Sequence, residues 1–387
     1  MLFTRRFVLL CAAMFLAYAN QWVITPVIPL YVDALGGSAF LAGLALLAFS
    51  VPSFTIRPLV GRIADRRNAA GVLAAGLCLL AAGSALLLIP FLALAMVFVA
   101  GVVRGIGWSG ANVGGYVTLA GAAPPQQRGE AAGYYTGAMA CASIVFPAAA
   151  LWIVETRGGF QAVFLLSSVV ALAGLPIALA LARSEAGAKP VAQAGADSGW
   201  AGLIDRGVLI ATGLNLCTTL AMPSVMAFLP LYARSLGIEH IGVFYVLAGI
   251  TSIVARPVLG KKSDTMGRGP ALALSFGAQL IGLTLIFAAR DLPLILAGGV
   301  FVALGFAMSS AVTTALAMDL TNPASRGRGM ATFSVSYQIG AGVGAIISGA
   351  LADLFGLRAM YAGSIAITLA GLGLLALAWK RLPRPAR

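Results

Sequence analysis

Arg104 has the most chemistry to offer in this 387-residue chain, because no other charge lies near it in the sequence. It stands in Arg104-Gly105-Ile106-Gly107-Trp108-Ser109-Gly110, deep inside a long apolar run. A guanidinium at the centre of a bilayer costs about 2.5–3.5 kcal/mol on insertion scales, so a cation there is expected to have a use. Helical spacing sets Arg104, Trp108 and Asn112 on one face. A fixed positive charge, an indole and an amide could together receive an anionic or zwitterionic organic solute. An arginine bonded only to backbone carbonyls is the plainer alternative.

Other polar residues gather on single helical faces. Asn20 and Gln21 interrupt the first apolar run; Asn215, Thr218, Thr219 and Met222 follow one stripe, and Ser334, Tyr337 and Gln338 another. Tyr134 and Tyr135 add aromatic wall candidates. Such faces either line a cavity or bond neighbouring helices. The expected solute-contacting set is therefore Asn20, Gln21, Arg104, Trp108, Asn112, Tyr134, Asn215, Thr218, Met222, Tyr337 and Gln338.

Titratable groups for ion coupling are few. Asp33 follows Pro29 at the end of the first run, and Glu155, Asp319 and Asp353 also fall near run ends. Asp33 and Arg104 are the proton-coupling candidates, although Asp33 reads first as a simple surface charge. Four cysteines, Cys11, Cys78, Cys141 and Cys217, lack any ligand spacing, and the one histidine, His240, falls in a connection. No paired acids, Ser/His set or metal-ligand cluster is spelled out, so the expectation is a protein that is not an enzyme and uses neither cofactor nor metal.

Hydrophobic residues make up 60% of the chain and charged residues 10%, more apolar surface than a water-soluble domain can hide. A helical span needs about 20 mostly apolar residues, and roughly twelve such runs can be marked, without the alternation of barrel strands. The expected class is an all-α integral membrane protein. The first run, with Arg5 and Arg6 before it and Asn20 and Gln21 within it, reads as a retained span. Of the 25 lysines and arginines, only Arg104, Arg157, Arg234, Arg290 and Arg358 fall off the side of the N-terminus, Arg57 being counted with that side. That bias predicts both termini in the cytoplasm and explains the net charge of +13 through orientation and lipid headgroups, with no nucleic acid.

The chain is also one unit written twice. Arg57-Pro58-Leu59-Val60-Gly61 and Asp65 return as Arg256-Pro257-Val258-Leu259-Gly260 and Asp264. Pro29-Leu30-Tyr31 with Leu35-Gly36 returns as Pro230-Leu231-Tyr232 with Leu236-Gly237. The repeat interval, about 200 positions, is close to half the chain. The expected organisation is a six-helix bundle over 1–183, a polar linker over 184–205 and a second six-helix bundle over 206–387.

Twelve spans, a midpoint linker and a repeated Gly-x-x-x-Asp turn resemble the major facilitator superfamily over essentially the whole chain. Gly61, Asp65 and Arg66 match the turn after span 2, with Asn68 where the family has glycine. Gly260, Asp264, Gly267 and Arg268 match the second copy, with Thr265 where the family has a basic residue. The stretch from Arg104 to Gly110 resembles the family's span-4 motif, lacking its nearby glutamine. In span 5, Gly133 and Pro147 hold the spacing of the family's drug antiporters, but Ala142, Phe146 and Ala150-Leu151 replace expected glycines.

The resemblance implies two pseudo-symmetric six-helix bundles that rock about a central site. It implies Gly61, Asp65, Arg66, Gly260, Asp264 and Arg268 as a conformational latch. It further implies a secondary active transporter, expected to be a monomer in a bacterial cytoplasmic membrane. Its partners would be a small-molecule substrate, protons and the lipid bilayer. Proton-coupled efflux of a drug or metabolite is the leading expectation, import of a solute the alternative, and a non-transporting sensor or scaffold a remote one.

Overall fold

Long apolar runs can satisfy their own backbone in lipid only as helices or closed barrels. The computed structural model describes residues 3–66, 68–122, 127–156, 158–185, 205–321 and 326–382, and these are helical almost throughout, with no strand among them. The first half holds α1 (Arg5–Ile24), α2 (Val27–Ala34), α3 (Ala39–Thr55), α4 (Arg57–Arg66), α5 (Ala69–Leu86), α6 (Ala93–Ala122), α7 (Arg128–Glu155) and α8 (Gly159–Glu185). The second holds α9 (Leu209–Met226), α10 (Leu229–Ser235), α11 (Gly242–Met266), α12 (Arg268–Ala288), α13 (Leu292–Leu320), α14 (Arg326–Phe355) and α15 (Leu357–Ala378).

Ten of these elements are long and apolar enough to cross a membrane, with α1 and α2 together forming the first. The pair α3–α4 makes an eleventh, bent by 43°. The last position falls to α11, whose apolar part Gly242–Ala255 is shorter. This is the twelve-helix membrane architecture expected from the sequence. Three runs that read as continuous are broken, at α1–α2, α3–α4 and α9–α10, each with a proline close by. Pro58 has no N–H to donate into the preceding turn, and the helix stops at Ile56 and restarts at Arg57. Pro26 likewise stands at the break between α1 and α2.

The chain divides into two compact units, Met1–Gly37 with Ala45–Ala196, and Ser38–Leu44 with Asp197–Arg387. In the first unit α5 packs on α6 and α8, and α1 on α7 and α8, around a core that includes Leu10, Met14, Leu73, Leu77 and Tyr135. In the second, α12 packs on α13 and α15, and α9 on α14 and α15, around Leu214, Leu272, Phe276, Met308 and Phe333. The second unit also contains the start of α3, where the Ala39 and Phe40 amides each donate to the Asp353 carboxylate at 2.9 Å. Outward faces carry apolar side chains such as Trp152, Val254 and Leu377, which water would penalise and lipid does not.

The repeat is legible in local geometry. Gly36 (φ 75°) and Gly237 (φ 70°) both adopt the left-handed conformation. In each copy the following amide folds back, Gly37 N to Val32 O and Ile238 N to Ala233 O, both 2.9 Å. The repeated Leu-Gly pair is thus a helix C-terminal cap used twice. The copies diverge at the glycine of the charged turn. Gly267 takes φ 85° before α12, whereas Asn68 stays extended and caps α5, its Oδ1 accepting from Gly71 N at 3.0 Å. A side-chain cap has replaced a backbone one.

Candidate functional site

Arg104 lies midway along α6, and the absence of a side chain at Gly83 on α5 is what admits it. A methyl group at Gly83 would strike the Arg104 Cγ. From there Nη2 donates to Gln21 Oε1 at 3.0 Å and to Asn20 Oδ1 at 3.3 Å, and Cζ lies 5.6 Å from the Phe49 ring centre. Arg104 is 4% exposed, and its Nε has no acceptor. A cavity of about 20 Å³ adjoins it, lined among others by Gln21, Thr25, Phe49, Val97 and Gly101.

Asn20 holds the guanidinium in place through three helices. Its Nδ2 lies 2.9 Å from Ser84 Oγ on α5 and 2.7 Å from Ser167 Oγ on α8, leaving Oδ1 for Arg104. Gln21 is steadied by Thr25, to whose Oγ1 its Nε2 donates at 3.2 Å. A buried polar group is tolerable when its bonds are made, and this network is satisfied except at Arg104 Nε.

An aromatic layer lies next to it. Trp108 has Tyr18 at 4.8 Å and Phe49 at 6.2 Å between ring centres. The Tyr18 hydroxyl donates to Asn112 Oδ1 at 3.2 Å, and Asn112 Nδ2 donates to Trp108 O at 3.1 Å. A second cation completes the group. Arg57, at the break between α3 and α4, is half-buried, donates from Nε to Ser53 O at 3.2 Å and lies within electrostatic range of the Tyr18 and Tyr116 side chains. In the sequence Arg57 counts only as an orientation charge, and Tyr18, Phe49, Ser84 and Ser167 do not stand out as site residues. A signal for Arg57 is nonetheless present: it directly precedes the proline that breaks the span.

The remaining candidates are placed as follows. Tyr134 is half-exposed on α7, edge-on to Phe3 at 5.0 Å. Asn215 Nδ2 donates to Ser336 Oγ at 2.8 Å while Thr313 Oγ1 donates to its Oδ1 at 3.1 Å, and Thr218 shares a hydrogen with Ser309 at 2.8 Å. These bonds tie α9 to α13 and α14. Met222 is buried, Tyr337 lies 3.0 Å from Ser310 Oγ, and Gln338 is half-buried. Asp33 is exposed on α2. Of the latch set, Gly61 lies in α4, and Arg268 Nε donates to Asp319 Oδ2 at 2.9 Å within the second unit. The side chains of Asp65, Arg66 and Asp264, and the surroundings of Gly260, lie outside the described residues.

The acidic residues that the structure places all fall in first or last turns or in connections, never mid-helix. Of the helices around Arg104 and its cavity, α1, α3, α5 and α6 contain no Asp or Glu, and α2 carries only the exposed Asp33. What this arrangement can do is hold an anion or an aromatic ring.

Comparison with known proteins agrees with the architecture. The sequence profile of the Major Facilitator Superfamily matches residues 10–290 and 240–387. The chain is 29% identical over 154 residues to an uncharacterised MFS-type transporter of Methanocaldococcus jannaschii, covering 38% of this chain and 39% of that protein. It is 33% identical over 146 residues to the multidrug resistance protein MdtG of Proteus mirabilis, 35% of this chain and 36% of that one. In both cases the match spans little more than a third of the relative. An uncharacterised MFS-type transporter of Burkholderia mallei matches at 24% over 382 residues, 96% of this chain and 91% of the other. Among solved structures, a point mutant of the nucleoside transporter NupG superposes with a TM-score of 0.78 at 14% identity, over 96% of this chain and 100% of that one. An inward-facing bacterial homologue of the human lysosomal transporter Spinster gives 0.78 at 14% identity, over 98% of each chain.

Proposed function

This chain belongs to the major facilitator superfamily, and we propose that it exports a small anionic or zwitterionic organic solute by alternating access, driven by protons. The observation that carries the reading is the wall formed by Arg57, Tyr18, Asn112 and Trp108 in the first unit, built on α1, α4 and α6. A cation set among hydroxyls, an amide and an indole recognises a carboxylate or phosphate attached to a flat apolar body. A cationic drug would meet no carboxylate on α1, α3, α5 or α6 and would be repelled by both guanidinium groups.

Export is favoured by the similarity to a multidrug resistance protein. The basic bias of the sequence supports cytoplasmic termini in a bacterial inner membrane. Asp33 and Arg104 remain the proton-coupling candidates under this reading, and the charged turns that follow Gly61 and Gly260 its latch. Asn215, Thr218, Met222, Tyr337 and Gln338 would supply the second unit's share of the solute path, and the protein works as a monomer.

The test is counterflow into proteoliposomes with matched anionic, zwitterionic and cationic aromatic solutes, under proton gradients of either sign. Anions or zwitterions should be moved, with accumulation when the interior is acidic relative to the face that binds. Robust transport of cations without transport of anions would overturn the assignment.

A further inference from the structure

The cavity beside Arg104 is too small for the proposed solute, and its border is a cation without a counter-charge. At about 20 Å³ it is of the size of one small ion or water, far below that of a drug-sized solute. We propose that it is a binding site for a single monoatomic anion of chloride size, held by the Nε edge of Arg104 and the amide of Gln21. This goes beyond the solute-export reading and does not depend on it.

Three observations converge on this occupant. The first is the buried Nε–H, which lacks an acceptor although Nη2 is bonded to both Gln21 and Asn20. A guanidinium has five N–H donors in a fixed fork, and the edge left unused here belongs to a residue that lines the cavity. The second is charge. No Asp or Glu occurs on α1, α3, α5 or α6, and α2, which lines the cavity through Ile28, carries its one acid, Asp33, exposed at its other end. The third is the character of the remaining wall. Ile24, Ile28, Leu87 and Val97 make it apolar, and a low-dielectric lining strengthens the attraction between cation and anion, which offsets the anion's loss of hydration.

Both donors belong to residues that line the cavity. Gln21 gives one amide hydrogen to Thr25 Oγ1 and keeps a second, while its Oε1 is turned to Arg104. The Phe49 ring lies over Cζ, so one face of the guanidinium is occupied and the anion is left the edge. Occupancy neutralises Arg104 and adds binding free energy to the folded first unit.

The experiment uses the purified full-length protein and no organic solute, so its failure is distinct from failure of the export reading. Thermal unfolding is followed in sodium chloride, bromide and gluconate at equal ionic strength, gluconate being larger than the cavity. Chloride and bromide should raise the midpoint saturably over gluconate, and Arg104→Gln should lose that difference. Equal midpoints in the three salts, or a halide shift that persists in Arg104→Gln, would overturn the proposal. Should that variant fail to fold, bromide-soaked crystals of the unaltered protein decide the matter. An anomalous peak within hydrogen-bond reach of Arg104 Nε is expected, and a map without one there rejects the site.

Discussion

Arg104 carries its Cζ 5.6 Å from the centre of the Phe49 ring, and the same ring lies 6.2 Å from that of Trp108. Phe49 therefore separates a deep cation and its small cavity from the aromatic wall that includes Arg57. Replacing Phe49 by Leu keeps bulk but removes the ring face, a loss of about 0.5–2 kcal/mol of cation–π attraction. Transport of the solute should fall while membrane insertion and monodispersity are kept, and Phe49→Tyr should restore much of the flux. Unchanged counterflow in Phe49→Leu would demote the ring to filler.

The Tyr18–Asn112 hydrogen bond is testable as a pair. Tyr18→Phe and Asn112→Ala each delete it, and a net hydrogen bond contributes about 1 kcal/mol, roughly fivefold in an affinity. Each single variant should weaken apparent solute affinity by that order. The double variant should be little worse than either, because the shared interaction is lost only once. Fully additive losses would mean that the two side chains act separately.

Asn20 should matter for stability more than for recognition. Its amide joins α1 to Ser84 on α5 and Ser167 on α8. Asn20→Leu removes these bonds, while Ser84 and Ser167 keep each other at 3.1 Å and Arg104 keeps Gln21, so the loss is that of net hydrogen bonds, about 1 kcal/mol each. A lowered unfolding midpoint in detergent is the expected result. An unaltered midpoint would show that the bond between Ser84 and Ser167 suffices without the amide.

Gln279 offers the opposite sign. It is fully buried on α12, and neither its amide nitrogen nor its oxygen has a partner. The matching position of the first repeat is Leu80, also fully buried. Gln279→Leu should therefore raise stability by about 1–3 kcal/mol, the desolvation cost of an unpaired polar group. A fall in stability would mean that the amide is satisfied by something such as an internal water.

Glycines divide by their surroundings. A methyl at Gly282 would lie 2.5 Å from Gly298 O, whereas one at Gly133 meets nothing within 4 Å. Gly282→Val should abolish folded yield. Gly133→Ala should be tolerated or help slightly, since alanine is favoured in helices by about 1 kcal/mol. Expression and size-exclusion profiles read both. A tolerated Gly282→Val would refute the close approach of α12 and α13.

How much of this is legible beforehand depends on whether a signal is local. Arg104 announces itself because a lone charge in an apolar run is conspicuous, and the doubled Leu-Gly pair foretells a cap that recurs as Gly36 and Gly237. Arg57 misleads for the converse reason. Its neighbours in sequence are a proline and the charged turn, so it reads as an orientation charge, although the break at Ile56 leaves it half-buried beside Tyr18 and Tyr116. Ser84 and Ser167 carry no signal, since serine in a span is common and their meaning depends on Asn20 reaching both.

The sequence by itself determined the class, the helices and the duplication, because hydrophobic run length, proline and glycine placement and charge bias act through the solvent and the local backbone. Only the tertiary structure decided which polar groups meet. Arg104 turns to Gln21 and Asn20 and toward a water-sized cavity, while Trp108 and Asn112, one and two turns further along α6, meet Tyr18. A helical face tells where a side chain points but not what stands opposite. In a membrane that partner decides whether a charge is tolerated, because lipid supplies none.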